Sequence, residues 1–98
     1  MDAVMATSDG QADEVSAACR LFGRVPGKDV LVTGYDNYWR DLPMRAWEPV
    51  CPAATIDKKN RLLGTELVRM LLERLEGKLG PDPEHRLVAP ELIIPGSA

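Results

Sequence analysis

The stretch Val30-Leu31-Val32-Thr33-Gly34-Tyr35-Asp36-Asn37 decides the fold, because an apolar run without alternation leads into a glycine and short polar side chains. Such a run is typical of a strand that is buried on both faces of a parallel sheet. Ligands of open parallel sheets bind outside the carboxyl ends of the strands. Asp36 follows this strand directly, so we expect its carboxylate to face a ligand.

The composition is that of a small globular domain. The 98 residues are enough for one such domain, and the net charge of -3 offers no basic surface for nucleic acid. No apolar run approaches the roughly 20 residues of a membrane span, so no membrane partner is expected. The N-terminus lacks the charged and apolar regions of a signal peptide, so we expect a cytoplasmic protein.

The residues on either side of the opening stretch predict a βαβ unit. Residues 2–7 form an apolar strand, and a helix follows from 10 to 22. Ser8 and Gln11 fit a capping box at the start of this helix. Because both connections are short, the strands at 2–7 and 30–34 should lie parallel in one sheet. The predicted fold class is therefore α/β, with a parallel-sheet βαβ arrangement.

The predicted helix carries one apolar stripe at three- and four-residue steps. We expect this stripe to pack on the sheet, with Cys19 as a small core residue. A disulfide between Cys19 and Cys51 is possible in principle, but it is disfavoured because the chain has no secretion signal. The stripe consists of Ala12, Val15, Ala18, Cys19 and Phe22.

Residues 37–53 combine apolar and charged side chains with three prolines, which predicts a helical turn near 38–42 within an irregular loop. Two tryptophans, Trp39 and Trp47, lie in this segment. They either cover the sheet or pack against a partner or ligand, because tryptophan is enriched at interface centres. Three further elements are predicted, namely a strand at 53–56, a helix at 60–76 and an extended segment at 86–94.

Polar side chains follow each of the first three predicted strands. Ser8 and Asp9 follow the first strand, Asp36 the second and Lys58 the third. In a parallel sheet these positions share one edge, where oxygen atoms can accept hydrogen bonds from ligand hydroxyls and the lysine can donate. The alternatives are an N-capping role for Ser8 and an Asx-turn role for Asp36.

Patterns of catalytic or metal-binding residues are not recognisable. His85, the only histidine, follows a proline-rich loop and is expected to be solvated. The serines and cysteines have no base at a recognisable spacing, and the scattered Gly23, Gly27 and Gly34 are assigned to turns. We therefore predict no catalytic residue, no metal and no cofactor.

Motifs of one protein family recur in a fixed order along almost the whole chain. Asp2–Asp9 resembles the family's DAVFAxND, Arg24–Val30 its RVPEDVS, Val32–Asn37 its VVGYDD, Ala54–Lys58 its TTVRQ and Leu87–Ile94 its LLPPELVVR. In these segments the chain resembles the C-terminal part of the effector-binding region of LacI/GalR-type bacterial transcriptional regulators. The resemblance implies a type I periplasmic-binding-protein-like fold, which those regulators share with periplasmic sugar-binding proteins.

The same resemblance implies which residues contact the ligand. Asp36 matches the first aspartate of the GYDD motif, which contacts the effector in sugar-responsive members. Ser8 stands where the family usually has asparagine, and Lys58 where many members have glutamine. The lysine adds a cation, so a sugar phosphate or another acidic effector becomes more plausible. Lys59 replaces the proline that usually opens the last long helix, which should be a small loss because that proline only preorganises the first turn.

The resemblance also implies a division of the chain between two subdomains. Residues 1–56 and 90–98 would belong to the C-terminal subdomain, and residues 57–89 to the N-terminal subdomain. The family's helix-turn-helix would lie outside this chain, so DNA would be bound only through that further domain. The helix at 60–76 would expose a large apolar face.

Three functions follow as alternatives. The leading one is a fragment of the ligand-sensing and dimerisation domain of a LacI/GalR-like regulator, and the second is part of a periplasmic sugar-binding transport protein. The third, an enzyme that uses Asp9 and Asp36 as paired carboxylates, is least favoured because neither has an obvious basic or metal partner. Because the family forms dimers, a homodimer is expected, with an interface that comprises Val15, Cys19, Trp39, Leu42, Met44 and Trp47.

Overall fold

The computed structural model describes residues 2–96. Met1, Ser97 and Ala98, which form the ends of the predicted 1–98 region, lie outside the described residues. Strands and helices alternate along the chain, so the predicted α/β class is confirmed. The elements are β1 (Ala3–Met5), α1 (Asp9–Leu21), β2 (Leu31–Thr33), two 3₁₀ turns (Trp39–Asp41 and Pro43–Ala46), β3 (Thr55–Asp57), α2 (Asn60–Leu75) and β4 (Glu91–Ile93).

The βαβ unit is formed as predicted. Strand β1 pairs in parallel with β2, and Val4 lies opposite Val32. The backbone after β2 also pairs with the segment that leads into β3, since the Gly34 N–H donates to the Ala54 carbonyl at 2.8 Å. The carboxyl ends of β1 and β2 therefore lie at one edge of the sheet, where the polar residues were expected. Strands β3 and β4 pair with each other.

The described residues divide into two compact units. One contains the residues up to Asp57 and those from Leu92 onward, and the other is Lys58–Glu91. The first unit holds the buried apolar core of Ala12, Val30 and Val32. The assignment of 1–56 and 90–98 to one family subdomain and of 57–89 to the other stays a prediction.

Both ends of α1 follow the sequence signals, with one shift. Ser8 is the N-cap, and its Oγ accepts a hydrogen bond from the Gln11 N–H at 3.1 Å. The Gln11 Oε1 accepts from the N–H of Thr7 at 3.3 Å, whereas a capping box would use the N–H of Ser8. At the other end, Gly23 adopts a φ of 75°, the left-handed conformation that a glycine allows after a helix.

The face of α1 that packs on the rest of the chain matches the predicted one only at Ala12, which is buried. Phe22 is 84% exposed, Ala18 is exposed, and Val15 and Cys19 are only half-buried, so the core position expected for Cys19 was wrong. Periodicity locates an apolar stripe, but it cannot tell which stripe meets the chain's own residues. A mostly polar stripe is buried instead: Asp9 accepts hydrogen bonds from backbone N–H groups and the Thr55 hydroxyl, and Asp13 lies near Arg45. The buried residues are Asp9, Ala12, Asp13 and Ser16.

The second unit is built on α2, whose apolar face is exposed as predicted. None of the described α2 residues is buried, and Leu75 is 75% exposed. Arg86, which lies in the segment after α2, forms ion pairs with two residues of this helix. Its guanidinium lies 2.5 Å from Glu73 and 3.5 Å from Glu66.

Lys59 occupies a different position in α2 from the one expected. It is the N-cap, with φ 59° and ψ 56°, and not the first helical residue. Proline has its φ fixed near about -65°, so a proline could not replace Lys59 in this backbone. The comparison with the family's helix-opening proline therefore does not hold at this residue.

Candidate functional site

The loop after β2 has an unusual backbone. Asp36 and Asn37 both have positive φ values, of 92° and 54°. Left-handed backbone is unfavourable for residues other than glycine, and it persists only where surrounding contacts hold it. One such contact is the hydrogen bond from the Asp36 N–H to the Ile56 carbonyl, at 2.8 Å. Strained segments of this kind are concentrated at binding and catalytic sites.

Asp9 lies beneath this loop and is completely buried, with 0% exposure. Its Oδ2 accepts hydrogen bonds from the backbone N–H groups of Tyr38 at 2.7 Å and Trp39 at 2.9 Å. Its Oδ1 accepts from the Thr55 hydroxyl at 2.7 Å. The Thr55 Oγ in turn accepts from the Asn37 N–H at 3.1 Å. One carboxylate therefore connects the start of α1, the loop after β2 and strand β3.

These bonds bear on two of the predicted ligand residues. Both carboxylate oxygens of Asp9 are hydrogen-bonded inside the protein, which gives this residue a structural role. Ser8 is half-buried, and its Oγ accepts the capping hydrogen bond while its own O–H can donate. Asp36 is also half-buried, at the carboxyl end of β2. Contact of these three side chains with a ligand stays a prediction.

The first turn of α1 is satisfied by the protein itself. A helix N-terminus can bind a phosphate or carboxylate only through N–H groups that are not already used. The N–H groups of Asp9, Gly10, Gln11 and Ala12 donate to the Tyr35 carbonyl, the Tyr38 Oη, the Ser8 Oγ and the Ser8 carbonyl. The first turn of α1 therefore offers an anionic ligand no N–H group that is not already hydrogen-bonded.

Gly34 has a packing role that the sequence did not reveal. A Cβ at this position would overlap the Asp9 Oδ1 and would lie 3.1 Å from the Asp9 Cα. The sequence interpretation assigned Gly34 to a turn, but its absent side chain is what allows β2 and α1 to approach. Thr55 was missed as well, although its hydroxyl is the only polar side chain in Ala53-Ala54-Thr55-Ile56.

Lys58, the fourth predicted ligand residue, opens the second unit. It is half-buried and directly follows β3. Its predicted contact with an acidic group of the ligand stays a prediction.

Comparison with known families gives one match over the whole chain. Residues 1–98 match the family model of the periplasmic binding protein-like domain. The chain belongs to this family. Comparison with curated proteins and with solved structures gave no match. A periplasmic binding protein-like domain is a binding module.

The described residues of this periplasmic binding protein-like domain contain neither a helix that could span a membrane nor a group of three or more candidate metal ligands. Across 2–96, no helix has the length and apolar character needed to cross a membrane. The same residues include no group of three or more histidine, cysteine, aspartate or glutamate side chains that could hold a metal ion.

A partly buried charge cluster links the loop of residues 39–50 to α1. Glu48 is 2% exposed, and its carboxylate accepts two hydrogen bonds from the Arg20 guanidinium, at 2.6 and 3.0 Å. These bonds, with one from the Val50 N–H, hold the pKa of Glu48 below its ordinary value. Asp13 is equally buried, and burial raises its pKa although Arg45 lies 3.7 Å away.

The predicted dimer residues lie in different surroundings. The Trp39 ring is covered by the guanidinium groups of Arg40 and Arg45, at 4.5 and 4.9 Å, and Trp47 is 78% exposed. Leu42 and Met44 line a small cavity beside Gly10 and Asp13. Val15 and Cys19 line an open apolar groove of about 370 Å³ together with Val4, Ala18, Phe22, Arg24 and Val30.

Proposed function

We propose that this chain is part of the ligand-sensing domain of a LacI/GalR-like transcriptional regulator. Its effector is a sugar or a sugar phosphate that binds at the carboxyl edge of the β1–β2 sheet. One observation carries this proposal: Ser8 and Asp36 follow two parallel neighbouring strands, and Asp9 joins the loops that contain them. In the whole regulator, the effector would act through its different affinities for two states with different DNA affinity.

Asp36 and Ser8 have different roles in this proposal. The Asp36 carboxylate accepts hydrogen bonds from sugar hydroxyls, and Ser8 donates its O–H to a ring or hydroxyl oxygen. Because the first-turn N–H groups of α1 are occupied, an acidic group on the effector would depend on a cation such as Lys58. Lys58→Gln should therefore weaken binding of a sugar phosphate far more than binding of the corresponding neutral sugar.

The test is a nuclear magnetic resonance titration of the ¹⁵N-labelled chain with a panel of sugars and sugar phosphates at millimolar concentration. We expect amide shifts at residues 8–10 and 35–39, and we expect Asp36→Ala to abolish them. Asp41→Ala is the matched control, because this exposed aspartate lies in the following turn. A panel that shifts no amide of the wild-type chain, or shifts only amides elsewhere, would contradict the proposal.

We also propose that copies of the chain associate through the predicted dimer residues. The exposed Trp47 and the groove lined by Val15 and Cys19 support this, because large exposed apolar surfaces usually have a partner. Sedimentation equilibrium should find Trp47→Ser at least about tenfold weaker in self-association than wild type. Leu87→Ser is the control, since Leu87 is 98% exposed but lies outside the predicted interface. Equal weakening by both substitutions would contradict the assignment.

The two alternatives are separated by different observations. A periplasmic transport component would carry a secretion signal upstream of this region in its gene, whereas a regulator would carry a helix-turn-helix. The enzyme alternative requires Asp9 and Asp36 to work as a pair on a substrate. The engagement of both Asp9 oxygens inside the protein disfavours that, so we propose binding without catalysis.

A further inference from the structure

Three consecutive backbone N–H groups after Asp36 donate to two buried side chains, Thr55 and Asp9. The Asn37 N–H donates to the Thr55 Oγ, and the N–H groups of Tyr38 and Trp39 donate to the Asp9 Oδ2. Successive N–H groups in left-handed or turn backbone form a concave cradle that suits an anion. Here the anion is supplied by the protein, because the Asp9 carboxylate occupies the cradle.

The cradle begins at the strained residues. Asp36 and Asn37 both have left-handed backbone, which disfavours this loop unless other contacts offset the strain. The hydrogen bonds to Asp9 and Thr55 follow immediately in the chain and are buried or partly buried, so water competes with them poorly. A further hydrogen bond, from the Gly10 N–H to the Tyr38 Oη at 3.2 Å, links the same loop to α1.

We infer that Asp9 and Thr55 are positioning residues that preset the loop in the conformation that presents Asp36 to the ligand. This inference rests on the proposed role of Asp36 as a ligand contact. It assigns Asp9 the role of a buried hydrogen-bond acceptor within the protein instead of a ligand contact. When the cradle is weakened, the loop samples other conformations. The apparent ligand affinity then falls by the fraction of molecules that keep the competent loop.

Amide hydrogen exchange tests the cradle without any ligand. Thr55→Val removes the acceptor of the Asn37 N–H at nearly constant volume, whereas Thr55→Ser keeps the hydroxyl. We expect Thr55→Val to speed exchange at Asn37 by about tenfold or more, and Thr55→Ser to restore the wild-type rate. Exchange at Asn37 that stays at the wild-type rate in folded Thr55→Val would overturn the inference.

The role of the Asp9 carboxylate as an acceptor is tested by Asp9→Asn, which keeps the shape of the side chain and one carbonyl acceptor. An amide oxygen is a weaker acceptor than a carboxylate, so exchange at Tyr38 and Trp39 should rise by about tenfold. Glu14→Gln is the matched control, because it neutralises an exposed acid on the same helix. If Asp9→Asn unfolds the chain, the Thr55 pair still decides the matter.

Ligand-binding measurements on the same variants distinguish failure of this inference from failure of the proposed function. With any panel member that binds wild type, Thr55→Val should weaken binding by about tenfold while Thr55→Ser binds as wild type does. Binding that depends on Asp36 but is unchanged in Thr55→Val would overturn the positioning role alone. A panel without any binder would contradict the proposed function, and the exchange rates would still decide whether the cradle shapes the loop.

Discussion

Adding one methyl group at Gly34 is the sharpest perturbation of the packing between β2 and α1. The new Cβ would overlap the Asp9 Oδ1 and lie 3.1 Å from the Asp9 Cα, which belongs to the backbone and cannot swing away. Gly64 offers the matched control. It lies within α2, and beyond the neighbouring backbone of the helix itself a Cβ there would meet no described atom within 4 Å.

The two substitutions should change stability in opposite directions. Gly34→Ala must displace the buried Asp9 carboxylate, which weakens at least one charge-assisted hydrogen bond worth about 1.5–3 kcal/mol. Overpacking adds about 1–3 kcal/mol, so a loss of about 3 kcal/mol or more is expected. Gly64→Ala should instead stabilise α2 by about 0.5–1 kcal/mol, because alanine has the higher helix propensity.

Urea unfolding gives the measurement. Tryptophan fluorescence reports on the first unit, since both Trp39 and Trp47 lie in it, and far-ultraviolet circular dichroism reports on the helices. With a slope near 1 kcal/mol/M, Gly34→Ala should lower the fluorescence midpoint by about 3 M or leave no folded baseline. A midpoint for Gly34→Ala within about 0.5 M of wild type would refute the close packing of Gly34 on Asp9.

The remaining predictions concern the charge cluster and α2. Because hydrogen bonding from Arg20 lowers the pKa of Glu48 below its ordinary 4.5, the stability from this pair is complete above that pH and is lost as the pH falls through the lower, folded-state pKa. Glu48→Gln should therefore cost about 1–2 kcal/mol at pH 7 and flatten the acid limb of a plot of unfolding free energy against pH. The φ of Lys59 is 59°, a value that glycine adopts without strain and that proline cannot adopt. Lys59→Gly should therefore raise the thermal midpoint of α2, and Lys59→Pro should unfold its first turn. Circular dichroism measures both effects.

Local signals were enough to predict the elements of the first unit. The run at 30–34 contains β2, Ser8 became the N-cap of α1, and Gly23 ended the helix. Each of these features depends on residues that are neighbours in the chain, so the sequence pattern carries the information. The expected burial of both faces of β2 was wrong, because Leu31 is 50% exposed. The parallel pairing of β1 with β2 followed from the short connections around one helix.

The centre of the candidate site depends on contacts between residues that are distant in the sequence. Asp9 and Thr55 are 46 positions apart, and neither position alone signals that they share a hydrogen bond. The burial of the polar residues of α1 depends on distant residues as well, since Asp13 lies 3.7 Å from Arg45, which comes 32 positions later in the chain. Periodicity favoured the neighbouring apolar face, which shares only Ala12 with the buried one, because it counts apolar side chains and ignores which polar groups find partners.

The role of Asp36 as a ligand contact is tested most directly by comparing the ligand affinities of Asp36→Asn and the wild-type chain. The ligand is the best binder of the sugar and sugar phosphate panel. Loss of the carboxylate removes hydrogen bonds to a charged acceptor, so the dissociation constant should rise by about tenfold to a hundredfold. The amide shifts that remain should still map to residues 8–10 and 35–39. Equal dissociation constants for Asp36→Asn and wild type, or shifts that map to the groove beside Val15, would contradict a ligand site at Asp36.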